Sequence, residues 1–276
     1  MPGLKQFIYK NNMRAKKSLG QNFLKSKIAL RKIIEAGEVK KDDVILEIGP
    51  GKGVLTEKLL EYAGLVIAVE KDGGLYEFLK TKFKKEINNN TLILVCEDIL
   101  NFNTSNYNLE TRTYKIIANI PYNITGAILK KFLTVKNQPE SMVLMVQNEV
   151  AKRIIGRDKE SLLSISVKAY GEPKMIMKVP ARYFLPKPKV DSAIIAIKNI
   201  SRRLFENKKL VNVAGRQVFE GKFWEIVKTG FAHKRKKLSG NLKILLKNGS
   251  LASVQGMGNK RAEDLALSDW ILLAKQ

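Results

Sequence analysis

The chain has 276 residues, 45% of them hydrophobic, enough to bury a core of its own and to favour one large domain with a small appendage over disorder. Fifty Lys and Arg against 26 Asp and Glu leave +24, a balance that favours a polyanionic partner, with an acidic membrane surface as the competing reading. A single cysteine, Cys96, and a single histidine, His233, exclude an internal disulfide and the usual four-ligand zinc site.

The lone thiol points to the cytoplasm, and no run of roughly 20 uncharged apolar residues suggests a membrane span. The basic N-terminus has no apolar segment of the kind a secretory signal needs. Residues 1–32 carry nine Lys or Arg and no acid. A helix is predicted at about 27–36. The apolar run Val44–Ile48 reads as a strand, Val54–Tyr62 as a helix, Leu65–Glu70 as a strand, Leu75–Phe83 as a helix and Leu92–Val95 as a strand. This alternation is the βαβαβ rhythm of a doubly wound parallel sheet, whose inner strands are apolar throughout because both faces are covered. Further strands are expected at Tyr114–Ala118, Met142–Gln147, Leu163–Ala169, Met175–Val179 and Ala193–Ile197, with helices at about 124–133 and 148–156. Pro180, Pro186 and Pro188 mark a rigid, turn-rich loop. After Lys198 the apolar spacing becomes helical, so the expected division is a catalytic domain over 1–199 and a small helical, basic domain over 200–276.

Residues 198–247 carry fourteen Lys or Arg against Glu206, Glu220 and Glu225, while residues 33–197 carry 24 bases and 20 acids. One charged run is ordinarily a solvated face, but two of them flanking a near-neutral middle are what a binding surface for a polyanion needs. His233 lies in the run His233-Lys234-Arg235-Lys236-Lys237 and reads as a solvated member of that face rather than as a catalyst.

The loop Glu47-Ile48-Gly49-Pro50-Gly51-Lys52-Gly53 follows the first long strand and opens a helix. Its spacing is G-x-G-x-G, not the G-x-G-x-x-G that cradles a pyrophosphate. A tight turn of this kind can press against an adenosine moiety, as in S-adenosylmethionine sites. Gly49 and Gly51 allow the close approach, Glu47 can accept from an ammonium group and Glu70 can accept from ribose hydroxyls. On the loop alone a nicotinamide dehydrogenase and a ligand-free glycine turn stay open. Asp98, at the end of the third strand, is either a hydrogen-bond acceptor for an adenine amine or a turn aspartate.

The tetrad Asn119-Ile120-Pro121-Tyr122 follows the strand predicted at Tyr114–Ala118. The exocyclic amine of adenine is a poor nucleophile because its lone pair is delocalised into the ring. The Asn119 side-chain carbonyl and the Ile120 main-chain carbonyl can each accept one of its hydrogens, which favours a pyramidal nitrogen aimed at a methyl donor. Pro121 fixes the turn, and Tyr122 offers a face on which an extracted base can stack.

With these motifs in hand, the sequence resembles the ribosomal RNA adenine dimethylases, specifically the small-subunit enzymes of the bacterial type. The likeness spans nearly the whole chain. It rests on Lys17-Ser18-Leu19-Gly20-Gln21-Asn22-Phe23-Leu24, the Glu47–Gly53 loop, Asn119–Tyr122 and Phe184-Leu185-Pro186-Lys187-Pro188-Lys189-Val190-Asp191-Ser192-Ala193, with looser matches at Lys236–Leu242 and Arg261–Leu265. The resemblance implies a Rossmann-like S-adenosylmethionine-dependent methyltransferase sheet with a small C-terminal helical domain. Gln21, Asn22 and Leu24 would form a basic N-terminal lid on the cofactor, with Gly49 at its methionine part, Glu70 at its ribose, Asp98 at its adenine and Asn119 beside the methyl. Phe184 would face Tyr122 across a flipped adenine, offsetting part of the cost of unstacking. The implied partner is small-subunit ribosomal RNA in 30S precursor particles, met by a protein that is monomeric when free and needs no metal. Lys52, Gly73-Gly74, Asn148 and Lys159–Ser164 depart from the family pattern, and they bear on RNA contacts more than on chemistry. Three rivals remain: a large-subunit methylase of the macrolide-resistance type, a nicotinamide dehydrogenase and a non-catalytic ribosome-assembly factor.

Overall fold

A computed structural model of the chain describes residues 15–206, 216–243, 245 and 256–275. The chain divides into two compact units, one of residues 1–151 with 174–200, the other of residues 152–173 with 201–276.

The first unit opens with a two-residue strand β1 (Phe23–Leu24), followed by α1 (Lys27–Gly37), whose Ser26 hydroxyl caps it by accepting from the Ala29 N–H. Then come β2 (Val44–Ile48), α2 (Val54–Tyr62), β3 (Leu65–Glu70), α3 (Gly73–Lys82), α4 (Lys84–Asn88) and β4 (Leu92–Cys96). The chain continues through β5 (Lys115–Asn119), α5 (Thr125–Thr134), β6 (Ser141–Gln147) and α6 (Asn148–Ile155), passes through α7 (Leu162–Lys168) of the second unit, and returns with β7 (Glu172–Val179), β8 (Phe184–Leu185) and β9 (Ser192–Lys198). Seven strands lie in the order β4-β3-β2-β5-β6-β9-β7, and β1 pairs separately with β8.

Strands β4 through β6 run parallel, and β9 returns antiparallel to β6 with Leu144 opposite Ile195. All five residues of β2 are buried, as the unbroken apolar run requires of a strand covered on both faces. Helix α1 contributes Ala29, Leu30 and Ile33 to a core that continues through Ile45, Leu59, Phe78, Phe83, Ile117 and Ile194. Each of the Leu, Ile and Phe side chains contributes about 1.5–3 kcal/mol through removal from water.

The chain winds outward from β2 to β4, then crosses back to place β5 beside β2 with Leu46 opposite Ile116. At that reversal the loops leaving β2 and β5 diverge in opposite directions, which opens a crevice beyond the carboxyl ends of the two strands. The glycine loop and the Asn119 tetrad both emerge there.

The segment expected as a strand at Leu163–Ala169 is instead helix α7. Its alternating Ser and apolar residues imitate a strand, but Ser161 and Ser164 close a reciprocal capping box at its start, and the Ser166 hydroxyl donates to the Leu162 carbonyl one turn back. Local side-chain bonding outweighs the β-branched composition.

After Ile200 the described residues hold only helical elements: α8 (Arg203–Glu206), α9 (Arg216–Gly230), α10 (Leu238–Leu242), 3-10 turns at Met257–Asn259 and Ala262–Asp264, and α11 (Leu267–Ala274). Within this unit Tyr170, Phe205, Phe223 and Trp224 form an aromatic cluster, and the Tyr170 hydroxyl donates to Glu220, which also pairs with Arg202. Trp270 packs so closely on Gly230 that a Cβ there would lie 2.4 Å from its ring. Glu160 and Lys159 both bond Glu263, so the segment that departs from the family pattern is tied into this unit.

Candidate active site

The crevice between β2 and β5 is a cleft of about 160 Å³. Its walls include the N-terminal segment Ser18–Leu24, the glycine loop, Glu70, Asp98 and the tetrad Asn119–Tyr122. All the sequence-predicted site residues except Phe184 therefore meet in one place.

The glycine loop owes its shape to three residues with positive φ, Gly49, Gly51 and Gly53, at 66°, 60° and 72°. Gly53 is further constrained: a Cβ would lie 2.5 Å from the Phe83 ring and 2.8 Å from Leu79. At Gly51 the face that a Cβ would occupy is taken by the ring of Phe23, 3.1 Å away, with the Lys52 ammonium 4.9 Å from the centre of the same ring.

Glu70 braces the loop. One of its oxygens accepts from the Gly51 N–H at 3.0 Å and the other from the Asp72 N–H at 2.9 Å. Burial lifts its carboxyl above the ordinary range, although both of those donors pull the other way. Glu47, at the end of β2, is 1% exposed, and its Oε2 has no hydrogen-bond partner among the described residues. Burial pushes that carboxyl up to about 8. A buried carboxyl whose oxygen meets no donor at hydrogen-bond geometry, with the neighbouring Thr56 hydroxyl pulling against its burial, fits a cationic ligand group that would favour its ionised form. Asp98 behaves in this structure as a turn aspartate, accepting from the Leu100 N–H at 2.9 Å and pairing with Lys71 at 2.8 Å, which holds it below the usual carboxylate range. The lining carries Glu47, Glu70, Glu97 and Asp98 against Lys52 and Lys71, an acidic interior in a chain of net charge +24. Such a wall favours a cation and disfavours the pyrophosphate of a nicotinamide dinucleotide.

Asn119 ends β5. Its side-chain Nδ2 donates to the Asn22 main-chain carbonyl at 3.2 Å, while neither its Oδ1 nor the Ile120 carbonyl accepts a hydrogen bond among the described residues. Pro121 has φ −60°, and the Tyr122 hydroxyl lies 2.7 Å from the buried Ser192 hydroxyl at the start of β9, so the phenol ring is tethered at its far end. In the N-terminal segment, Asn22 Nδ2 donates to the Gly20 carbonyl and Gln21 Nε2 donates to Asp72.

Phe184 stands apart. It is 2% exposed, pairs with Leu24 across β1 and β8, and belongs to the core cluster rather than to the cleft wall. Sequence reasoning missed Asp72 and Ser192. Asp72 is legible as the cap of α3, since it precedes the helix and accepts from the Gly74 N–H, but nothing local announces that it also binds Lys16 and Gln21.

The family described as ribosomal RNA adenine dimethylase matches residues 12–276. A Dehalococcoides mccartyi protein named ribosomal RNA small subunit methyltransferase A is 39% identical, with 98% of this chain and 91% of the relative covered. Among solved structures, a dimethyladenosine transferase from Plasmodium falciparum superposes with a TM-score of 0.74 at 26% identity, over 91% of this chain and 95% of that one. The 23S rRNA methyltransferase ErmE shares the fold, with a TM-score of 0.73 at 24% identity over 92% of this chain and 98% of that one. By sequence and by fold, this chain belongs to the ribosomal RNA adenine dimethylase family.

Proposed function

We propose that this protein dimethylates the N6 of adenines in small-subunit ribosomal RNA, acting in the cytoplasm, as a monomer when free, on 30S precursor particles. What supports the reading is that Asn119 and Ile120, whose side-chain and main-chain carbonyls accept no hydrogen bond among the described residues, line the same cleft as the glycine loop.

S-adenosylmethionine, when bound, supplies an electrophilic methyl on a sulfonium. Glu47 would hold its ammonium, Gly49 and Gly51 would admit its close approach, Glu70 would accept from its ribose and Asp98 from its adenine amine, with Gln21, Asn22 and Leu24 covering it. Asn119 and Ile120 would each accept one N–H of the target amine, so its lone pair is turned out of conjugation toward the methyl carbon. After transfer the amine is cationic and acidic, so its proton can leave to water without a dedicated base. A second transfer needs the monomethylated amine to return with its remaining hydrogen on one of the two acceptors. Pro121 holds the turn, and Tyr122, fixed through Ser192, presents its ring for stacking; the buried Phe184 supports the core beneath β1 rather than facing the base. The region over 200–276, with its exposed run His233–Lys237, is assigned to the RNA phosphates.

The test is methyl transfer from labelled S-adenosylmethionine to unmethylated 30S particles and to 23S RNA, with the modified adenines mapped by mass spectrometry. Dimethyladenine in 16S rRNA alone is the expected result. Modification of 23S RNA instead would replace the substrate assignment, and no transfer to either would overturn it.

A further inference from the structure

Residues 16–24 touch three separate segments at or beside the cleft. Lys16 Nζ lies 2.9 Å from Asp72 Oδ1 and Gln21 Nε2 lies 3.0 Å from Asp72 Oδ2. The Phe23 ring covers Gly51, and the Asn22 carbonyl receives the Asn119 amide. The last of these contacts decides more than its strength suggests. A primary amide has a donating end and an accepting end of nearly the same shape, and a half-turn of its outer torsion exchanges them at little steric cost. Only the NH2 end can bond a carbonyl. The Asn22 main chain therefore selects the one orientation of Asn119 that leaves Oδ1 free to accept.

Asp72 is suited to keep the segment seated. It is 5% exposed, and its two oxygens take Lys16, Gln21 and the Gly74 N–H. Lifting residues 16–24 would strip this carboxylate of two donors, one of them charged, leaving the Gly74 N–H and water in their place. Burial would raise its pKa, yet Lys16, Gln21 and Gly74 together hold it below the ordinary aspartate value.

We propose that the N-terminal segment is a positioning device for the methyl-transfer site: the Asn22 carbonyl sets the Asn119 amide with its oxygen toward the target amine, and Asp72, through Lys16 and Gln21, holds that carbonyl in place. Covering the cleft and arming the acceptor are then one event. The inference rests on the proposed role of Asn119 as an acceptor of adenine N–H.

A double-mutant cycle tests it. Single-turnover transfer to unmethylated 30S particles is measured at saturating S-adenosylmethionine for Lys16→Met and Asp72→Asn, each alone and combined with Asn119→Ala. Asp72→Asn keeps an acceptor for the cap of α3, and Lys16 has a side chain 57% exposed, so Lys16→Met tests the latch without touching the core. In the otherwise native protein each change is expected to slow transfer about fivefold, and in the Asn119→Ala background by less than about twofold, because no amide remains to be oriented. Equal losses in both backgrounds would reduce the latch to a general structural support and overturn the inference, as would undiminished transfer with Lys16→Met alone. Native-like transfer by Asn119→Ala would instead remove the acceptor role on which the inference rests. A readout independent of turnover is the Asn119 side-chain NH2 signal under selective 15N labelling, which is expected to shift in Lys16→Met; an unmoved signal counts against the latch.

Discussion

Glu47 titrates differently from a surface carboxylate. Its ordinary value is 4.5 and its value in the folded protein is about 8, so between those limits the native state holds a proton that the unfolded chain has released. The stability this proton confers is complete below 4.5 and is lost as the pH rises through about 8. Urea melts across that window should show a falling slope that Glu47→Gln flattens. The same titration bears on the cofactor: a cation seated against ionised Glu47 must expel the proton. Calorimetry below pH 8 is expected to register proton release on S-adenosylmethionine binding in the native protein and little in Glu47→Gln. For Asn119→Ala the expectation is a loss of about 100-fold in transfer rate with cofactor affinity within about threefold of native, the pattern of a group that acts on the reacting atoms. Equal loss of both would make the residue structural. Phe184→Ala removes a buried ring and should lower stability by about 3 kcal/mol, visible in denaturant midpoints, beside any loss of rate on RNA. The glycine loop, Glu70, Asn119 and Tyr122 were legible in the sequence because strand ends and fixed spacing place them. Asp72 and Ser192 were not, since their partners Gln21 and Tyr122 lie 51 and 70 residues away and only folding brings them together.

Strands made of nearly unbroken apolar runs, β2, β3, β6 and β9, could be read directly, because a strand covered on both faces buries five or six consecutive residues. The helix α7 could not, because its Ser and apolar alternation carries the period of a strand while its capping hydroxyls act only once a turn has formed. Nor could β1 and β8, each two residues long and paired with a strand that lies far along the chain. Gly73 and Gly74 begin α3 rather than lying in the loop before it, so the helix starts two residues ahead of the apolar pattern at Leu75. A Cβ at Gly73 meets nothing within 4 Å, and its φ is not in the left-handed region. Gly73→Ala is accordingly expected to raise stability by about 0.5–1 kcal/mol through the unfolded chain's lost freedom, measured as a higher urea midpoint with an unchanged slope.

Across the whole molecule the bases concentrate toward the two ends of the sequence, and His233 through Lys237 are all exposed. Binding of ribosomal RNA should weaken steeply with salt. Replacing Lys234, Arg235, Lys236 and Lys237 together by Gln is expected to flatten the slope of log affinity against log salt by about three while sparing cofactor binding. An unchanged slope would take this run out of the interface. Charge placement was readable from sequence; the membership of residues 152–173 in the second unit was not, since it follows from the packing of Tyr170 and Glu160 on groups that lie far along the chain. The acid-walled cleft has a consequence for turnover. Carboxylates grip a ligand in proportion to its positive charge, and methyl donation erases the charge on sulfur. On the proposed assignment the spent molecule would be held less firmly than its replacement, and the cleft would empty and refill in the direction that repeated modification of one nitrogen requires.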